Sequence, residues 1–323
     1  MSLKIVSTSP TFGYYVTEPV EYLKQHGCEV ELAPQGKKLS EDDLVAYAAG
    51  ADAMVVGIEK ITARVIQAAK KLKVIAKHGA GVDNIDMETA TKNKIVVTSA
   101  PGANSDAVAD MTFGLFLALA RKIPYADQSV KGGGWPRFVG TGINQKTLGI
   151  IGVGQIGKKV AKRALGFDMK VLVYDVVKDD AFAETTGATY VTLDEIYTNA
   201  DFISIHVPLI EATRNMISAR EFGLMKKGTF LVNVARGGVV DEKALFDALK
   251  ENKIAGAACD VFTQEPPAKG NPLLALENVI ATPHMGMYTR EALVDTGMIC
   301  VRNIWDVLEG RKPHYLNNPE VLK

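Results

Sequence analysis

The stretch Leu148-Gly149-Ile150-Ile151-Gly152-Val153-Gly154-Gln155-Ile156-Gly157-Lys158-Lys159-Val160-Ala161-Lys162-Arg163-Ala164-Leu165 decides the fold. An apolar run of strand character enters a GxGxxG turn, and the turn opens a segment with apolar residues at helical spacing. In a unit of this kind Gly152 permits the tight turn, Gly154 lets a pyrophosphate approach the backbone, and Gly157 lets helix pack closely on strand. The phosphates then lie at the helix N-terminus, whose unpaired N–H groups favour an anion. A second apolar run, Lys170 to Tyr174, ends in Asp175, about 20 residues on, where an acid receives hydrogen bonds from the adenosine ribose. A carboxylate there repels a 2′-phosphate, and no Arg follows directly, so the pattern points to NAD over NADP; Lys178 is the nearest cation.

Outward from this motif, short apolar runs alternate with longer amphipathic stretches. Upstream lie Lys4 to Val6, Glu29 to Leu32, Ala53 to Val56, Val74 to Ala76 and Ile95 to Val97; downstream lie Val171 to Val173, Phe202 to Ile205, Thr229 to Val232 and Val279 to Ile280. This rhythm predicts α/β structure in two series, hence two Rossmann-like parallel-sheet domains with a cleft between them. A length of 323 residues suits two domains. Between the series, Val108, Met111, Leu115, Leu117, Leu119 and Ile123 predict one long helix from Ala103 towards Val130, interrupted or ended near Pro124. Arg290 to Glu309 is again helical and runs almost to the end of the sequence, so no added regulatory domain is expected.

Composition narrows the classes of function. Lys plus Arg and Asp plus Glu both number 37, which leaves no net field for nucleic acid or an acidic membrane surface. Cys28, Cys259 and Cys300 lie far apart and outside any metal-ligand spacing, as suits reduced core thiols and no metal site. The N-terminus has no basic region followed by an apolar run, and Met111 to Ala120 is too short to span a bilayer. A soluble cytoplasmic protein is expected.

Hydride transfer to a 2-oxo acid needs a cation to hold the carboxylate and polarise the carbonyl, and an acid to protonate the developing alkoxide. Arginine and histidine suit these tasks, the histidine better with a carboxylate beside it. Arg236 follows the run Thr229 to Asn233, Glu265 follows Ala257 to Val261, and His284 follows Val279 to Thr282. Ligands of open α/β sheets bind outside the carboxyl ends of the strands, so these three are expected to converge. Each taken alone has a structural reading as a turn cap, a solvated loop acid or a hydrogen-bonded turn residue.

Several motifs together resemble the D-isomer-specific 2-hydroxyacid dehydrogenases: Gly79-Ala80-Gly81-Val82-Asp83-Asn84-Ile85-Asp86, the glycine turn, His206-Val207-Pro208-Leu209, Asn233-Val234-Ala235-Arg236-Gly237-Gly238, Asp260-Val261-Phe262 with Glu265-Pro266-Pro267, and Thr282-Pro283-His284. The resemblance implies that Arg236 binds carboxylate and carbonyl, that His284 is the general acid/base, and that Glu265 pairs with His284 to raise its pKa. It implies that the amides of Ala80 and Gly81, in the Gly79 turn, cradle the substrate carboxylate and that Asp260 touches the nicotinamide carboxamide. Cofactor contacts are implied from Gly152, Gly154, Gln155, Ile156, Gly157 and Asp175, from His206, Val207, Pro208 and Thr213, and from Val234, Ala235, Arg236, Asp260, His284 and Gly286. The implied domains are a flavodoxin-like substrate domain, residues 1–100 with 286–323, and an NAD-binding domain, 101–285. The helix after Ala103 looks like the family's homodimer element, and domain closure is implied to exclude water.

Within the family the likeness is to short phosphoglycerate dehydrogenases and to hydroxypyruvate or glyoxylate reductases, which the motifs do not separate. A phosphorylated substrate wants positive charge near the Gly79 turn, where Lys77 and His78 precede it, with Arg137 in the glycine-rich loop region; Lys77 reads equally as a phosphate ligand or a solvated strand-end residue. His78 and Met287-Tyr288 stand where small residues are common in the family and re-line the pocket. Ser7 to Gly13 is a further wall or only a connecting loop. The rival from another class is a nonenzymatic NAD-sensing corepressor, against which Arg236, Glu265 and His284 all stand; formate oxidation is disfavoured by Glu265.

Overall fold

A computed structural model describes residues 2–322. The chain divides into two compact units, one formed by the chain up to Asn104 and again from Met287, the other by Ser105–Gly286. Each is an α/β unit built on a parallel sheet, the class that the alternating apolar runs predict. The first boundary falls beyond the expected residue 100 because residues 101–104 form turns ahead of the helix that starts at Ser105.

In the first unit β1 (Lys4–Ser7), α1 (Glu18–Gln25), β2 (Glu29–Leu32), α2 (Glu41–Ala48), β3 (Ala53–Val56), α3 (Ala63–Ala68), β4 (Val74–Lys77), α4 (Met87–Lys92) and β5 (Val96–Thr98) follow one another. The sheet order is β2-β1-β3-β4-β5, all neighbours parallel. Strand alternation assigns the two faces: Val6, Met54, Val56, Ile75 and Val97 pack with Leu44, Val65 and Ile66, while Ile5, Ala53, Val55, Val74, Ala76 and Val96 pack with Leu23, Val301 and Ile304. Both faces are covered by helices, which is why these strands read as unbroken apolar runs. The order reverses between β1 and β3, and in sheets of this topology ligands bind at the carboxyl ends of the strands flanking that reversal.

The second unit comprises α5 (Ser105–Ala120), α6 (Ile123–Lys131), β6 (Thr147–Ile151), α7 (Gln155–Leu165), β7 (Lys170–Tyr174), α8 (Asp180–Thr186), β8 (Thr189–Tyr190), α9 (Leu193–Asn199), β9 (Phe202–Ile205), α10 (Ala219–Leu224), β10 (Phe230–Asn233), α11 (Glu242–Lys250), β11 (Gly256–Cys259) and β12 (Val279–Ala281). Its sheet order, β12-β11-β10-β9-β6-β7-β8, winds outward in both directions from β6, the strand that enters the glycine turn. The chain then returns to the first unit as α12 (Arg290–Leu308), capped by Thr289 and packed against α1 and β4.

The helical stretch expected from Ala103 towards Val130, with an interruption near Pro124, is two helices that break at residues 121–122. Lys122 adopts a left-handed φ of 54°, which ends the first helical run, and Pro124 falls in the first turn of α6, where its missing N–H is harmless. α5 buries Val108, Phe113, Leu115, Phe116 and Leu119 in its own unit, whereas α6 buries none of its residues. The two-residue β8 carries no periodicity long enough to recognise, and β11 ends at Cys259, short of the expected Val261. The three cysteines are buried free thiols, and burial pushes those of Cys259 and Cys300 up to about 12. Among the described residues no helix is long and apolar enough to cross a membrane, and no cluster of His, Cys, Asp and Glu has the makings of a metal site.

Candidate active site

The glycine turn is built by contacts that a side chain would break. Gly152 has φ 98°, and a Cβ there would stand 2.7 Å from the His206 carbonyl; one on Gly157 would stand 2.1 Å from the Gly152 oxygen. Gly154 differs, since a Cβ on it meets nothing within 4 Å, so this turn presents open backbone at the start of α7. Asp175, just past β7, accepts hydrogen bonds from the amides of Val153 at 2.6 Å and Val177 at 3.1 Å, which fixes its carboxylate beside the turn. Lys178 lies over the Tyr190 ring at 5.9 Å, and Lys158 pairs with Asp179. Open backbone at Gly154, a helix N-terminus and a carboxylate placed beside them fit the pyrophosphate and ribose of a dinucleotide.

The neighbouring strand ends carry the remaining cofactor candidates. Gln155 is exposed on the first turn of α7, and Ile156 is half-buried against the core. Past β9, the His206 amide donates to the Ile151 carbonyl, and the Val207 side chain lies against Gly152. Burial pushes the His206 imidazole down to about 3; its Nε2 is 2.5 Å from the Ser204 hydroxyl, while Nδ1 is buried without a partner. The Thr213 hydroxyl donates to the Pro208 carbonyl and accepts from the Ile210 amide, so it closes its own loop. Val234 is buried and Ala235 half-buried in the turn beyond β10.

Three strand ends bring Arg236, Glu265 and His284 together. The Asn233 side chain braces the turn from both sides, its amide donating to the Arg236 carbonyl and its oxygen accepting from the Ala235 amide. Next to it a Cβ on Gly237 would stand 2.0 Å from the Phe262 carbonyl carbon, so glycine alone allows these two backbones to touch. The Phe262 amide donates to Oε1 of Glu265 at 3.1 Å, and Oε2 of the same carboxylate lies 2.8 Å from His284 Nδ1. A carboxylate only accepts, so Nδ1 carries the proton and the imidazole turns Nε2 outward from this bond. Burial alone would raise the Glu265 carboxyl; the His284 hydrogen bond and charge, the Phe262 amide and the charge of Arg236 outweigh it and hold Glu265 below the usual carboxylate range.

Asp260 has a task here that no spacing in the sequence announces. It is 2 % exposed, and its oxygens receive the Thr282 hydroxyl at 2.6 Å, the Met285 amide at 2.9 Å and the Gly286 amide at 2.9 Å. Its carbonyl also accepts from the His284 amide. Every one of these bonds is to the turn that carries His284, which stands at φ 50°, a region that favours glycine. Asp260 thus holds the histidine in a backbone conformation it would not choose.

The first unit carries the other substrate candidates. Gly79 has φ 148° and its carbonyl accepts from the Ala100 amide; Ala80 is exposed and Gly81 half-buried. Lys77 is neither solvated nor turned to the surface: it is 8 % exposed, and its ammonium donates to the Gly57 carbonyl at 2.5 Å and to Asn84 Oδ1 at 2.8 Å. Burial pushes His78 down to about 4, which leaves it neutral at pH 7. Arg137 belongs to the second unit, in the exposed run of residues 131–142.

Comparison with known proteins places these features in context. Residues 113–286 match the family model described as D-isomer specific 2-hydroxyacid dehydrogenase, NAD binding domain. A D-3-phosphoglycerate dehydrogenase of Archaeoglobus fulgidus is 44 % identical over 91 % of this chain and 56 % of its own length, so the chain spans little more than half of that relative. A glyoxylate reductase of Thermococcus litoralis is 41 % identical over 91 % of this chain and 92 % of its own. Among solved structures, a protein of Thermus thermophilus superposes with a TM-score of 0.90 at 34 % identity, over 98 % of this chain and all of that one.

Proposed function

Because the chain belongs to the D-isomer-specific 2-hydroxyacid dehydrogenase family, we propose that it is an NAD-dependent oxidoreductase acting reversibly between a small 2-oxo acid and its D-2-hydroxy acid. The His284–Glu265 pair beside the Arg236 turn, in the unit that also carries the glycine turn, is the observation on which this reading rests. The glycine turn and Asp175 would hold NADH, which would supply a hydride for C2 of the oxo acid. Arg236 holds the substrate carboxylate and draws charge from the carbonyl. As the carbonyl oxygen gains charge, His284 gives it a proton from Nε2, and the ionised Glu265 steadies the ring through Nδ1.

Two substrate pairs fit this scheme. The name of the archaeal relative favours 3-phosphoglycerate and 3-phosphohydroxypyruvate. Glyoxylate or hydroxypyruvate is favoured by the relative matched over nearly its whole length, and by an inward-turned Lys77 beside a neutral His78. The test is NADH consumption by the purified protein with these oxo acids and pyruvate at matched concentration. Turnover with NADH is expected to exceed that with NADPH, a preference that Asp175→Ala erodes by roughly tenfold. Silence with every acid would sink the enzymatic reading and leave an NAD-sensing protein.

The assembly we propose is a homodimer, held not by α5, whose apolar face is spent on its own core, but by the segment that follows it. Ile123, Val130, Trp135 and Val139 are all exposed there, Trp135 by 80 % and Val139 by 90 %, and a run of exposed apolar side chains of this kind suits an interaction surface. The double change Trp135→Glu with Val139→Glu is expected to convert a dimer to a monomer in light scattering, and a monomeric wild type would end the proposal. Three buried thiols with no disulfide support a reducing, cytoplasmic setting.

A further inference from the structure

In the second unit, the chain beyond Arg236 makes one 3-10 turn, Gly237–Val239, and enters α11 with Glu242 as the first helical residue. Asp241 fixes that entry. One of its carboxylate oxygens accepts from the amides of Lys243 at 3.0 Å and Ala244 at 3.1 Å, the other accepts from the Ser218 hydroxyl at 3.0 Å, and its own amide donates to the Ile217 carbonyl. The Arg236 end has separate supports in Asn233 and in the close approach of Gly237 to Phe262. Glu242 therefore projects from a stretch of chain that is held at both ends.

The stretch that carries Glu265 is built differently. Residues 261–271 form no helix or strand, and from Thr263 to Gly270 the chain lies at the surface with Pro267 alone half-buried, so apolar packing does not set where Glu265 stands. Polar bonds do. Glu242 Oε1 accepts from the Thr263 amide at 2.6 Å and Oε2 from the Asn271 side-chain amide at 3.0 Å, one bond on each side of Glu265 along the chain. Asn271 is itself oriented, because its Oδ1 accepts from the amide of the fully buried Leu273 and its NH2 is thereby turned to Glu242. Consecutive amides are thus divided between two carboxylates: Phe262 donates to Glu265 and Thr263 to Glu242.

We propose that Glu242 is a positioning residue for the reaction, a two-pronged clamp on the loop that holds the Glu265 carboxylate in register with His284 Nδ1. The inference rests on the dehydrogenase reading for the task of Glu265 and adds a residue that acts through Glu265. An acid in the first turn of a helix is favourable through its charge alone. Charge, however, requires neither bond, whereas both oxygens of Glu242 are spent on the one loop that apolar packing leaves unsupported.

Glu242→Ala is expected to lower kcat by about threefold or more while KM for the oxo acid and NADH affinity stay within about twofold, because Arg236 and the glycine turn keep their own supports. A clamp that works through Glu265 gives a non-additive pair, so in a Glu265→Gln background the same change costs less than about twofold further. Glu242→Gln is expected to lose one prong, since its NH2 opposes that of Asn271. Adding Asn271→Asp to it exchanges amide and carboxylate and is expected to restore kcat to within about twofold of wild type. The nitrogen NMR signal of His284 Nδ1 and hydrogen exchange at the Thr263 amide, both measured without substrate, read the clamp apart from turnover; Glu242→Ala is expected to shift the first and to quicken the second by about threefold or more. An unchanged kcat, an equal loss in both backgrounds, or an unchanged Nδ1 signal overturns the clamp and leaves the dehydrogenase intact. If the wild type turns over no 2-oxo acid, the dehydrogenase reading falls, and an Nδ1 signal altered in Glu242→Ala still supports the clamp, whereas an unaltered one overturns both.

Discussion

His284→Gln lowers kcat by about 100-fold or more while NADH binding stays within about twofold, the pattern expected when a general acid is lost and the ground-state complex is kept. The expectation comes from geometry. Nδ1 is taken by Glu265 at 2.8 Å, so Nε2 is the nitrogen left to reach a carbonyl oxygen, and glutamine keeps a polar group there without the proton chemistry of a ring. Glu265→Gln has a smaller effect, about tenfold, because it removes the anion behind the ring and leaves the proton donor in place. The sign of the acid dependence follows from Glu265. Its carboxyl is held below the ordinary value, so the ionised, supporting form is fully present above that value and is lost only as pH falls through the lower folded one. Wild-type kcat therefore keeps the support of Glu265 through the weakly acidic range. Stopped-flow and steady-state NADH consumption, with NADH affinity from fluorescence titration, separate the two quantities. An unchanged kcat in His284→Gln would remove the histidine from the chemistry.

How much of this was legible beforehand depends on how local each signal is. The strand, turn and helix at 148–165 carry their signal in one short stretch and at Asp175, so periodicity and glycine spacing are enough to recognise the turn, although His206 and Val207 also press against Gly152. Runs covered on both faces, such as Ala53–Val56, read correctly as strands for the same reason. Illegible features depend on partners remote in sequence. Asp260 shapes the His284 turn through bonds to residues 22 to 26 positions away. Lys77 has the composition of a surface residue, and only the placement of Gly57 and Asn84 across the strand end explains why its ammonium is buried. The break at Lys122 preceded the proline expected to cause it, because a left-handed residue ends a helix as effectively as a missing N–H. Trp135 and Val139 gave no periodic signal in a loop, so their exposure came from the fold alone.

Arg236→Lys is expected to lower kcat/KM for any 2-oxo acid by about 100-fold, although charge is conserved, because an ammonium cannot present the paired, coplanar N–H groups that grip a carboxylate and polarise the adjoining carbonyl. The turn leaves lysine little freedom to compensate. Arg236 Nη1 is set by the Ala235 carbonyl at 2.8 Å, its backbone by Asn233, and the residue after it by the Gly237–Phe262 approach. Any shift that brought a shorter ammonium towards the substrate would press Gly237 into Phe262 and disturb the amide that holds Glu265. The effect should therefore divide between KM, through the lost second contact, and kcat, through weaker polarisation, while a loss in KM alone would assign Arg236 to binding without catalysis. NADH affinity and thermal stability serve as controls, since a misfolded turn would lower both. Full kcat/KM in Arg236→Lys would show that a point charge is sufficient, and the bidentate grip would have to be abandoned.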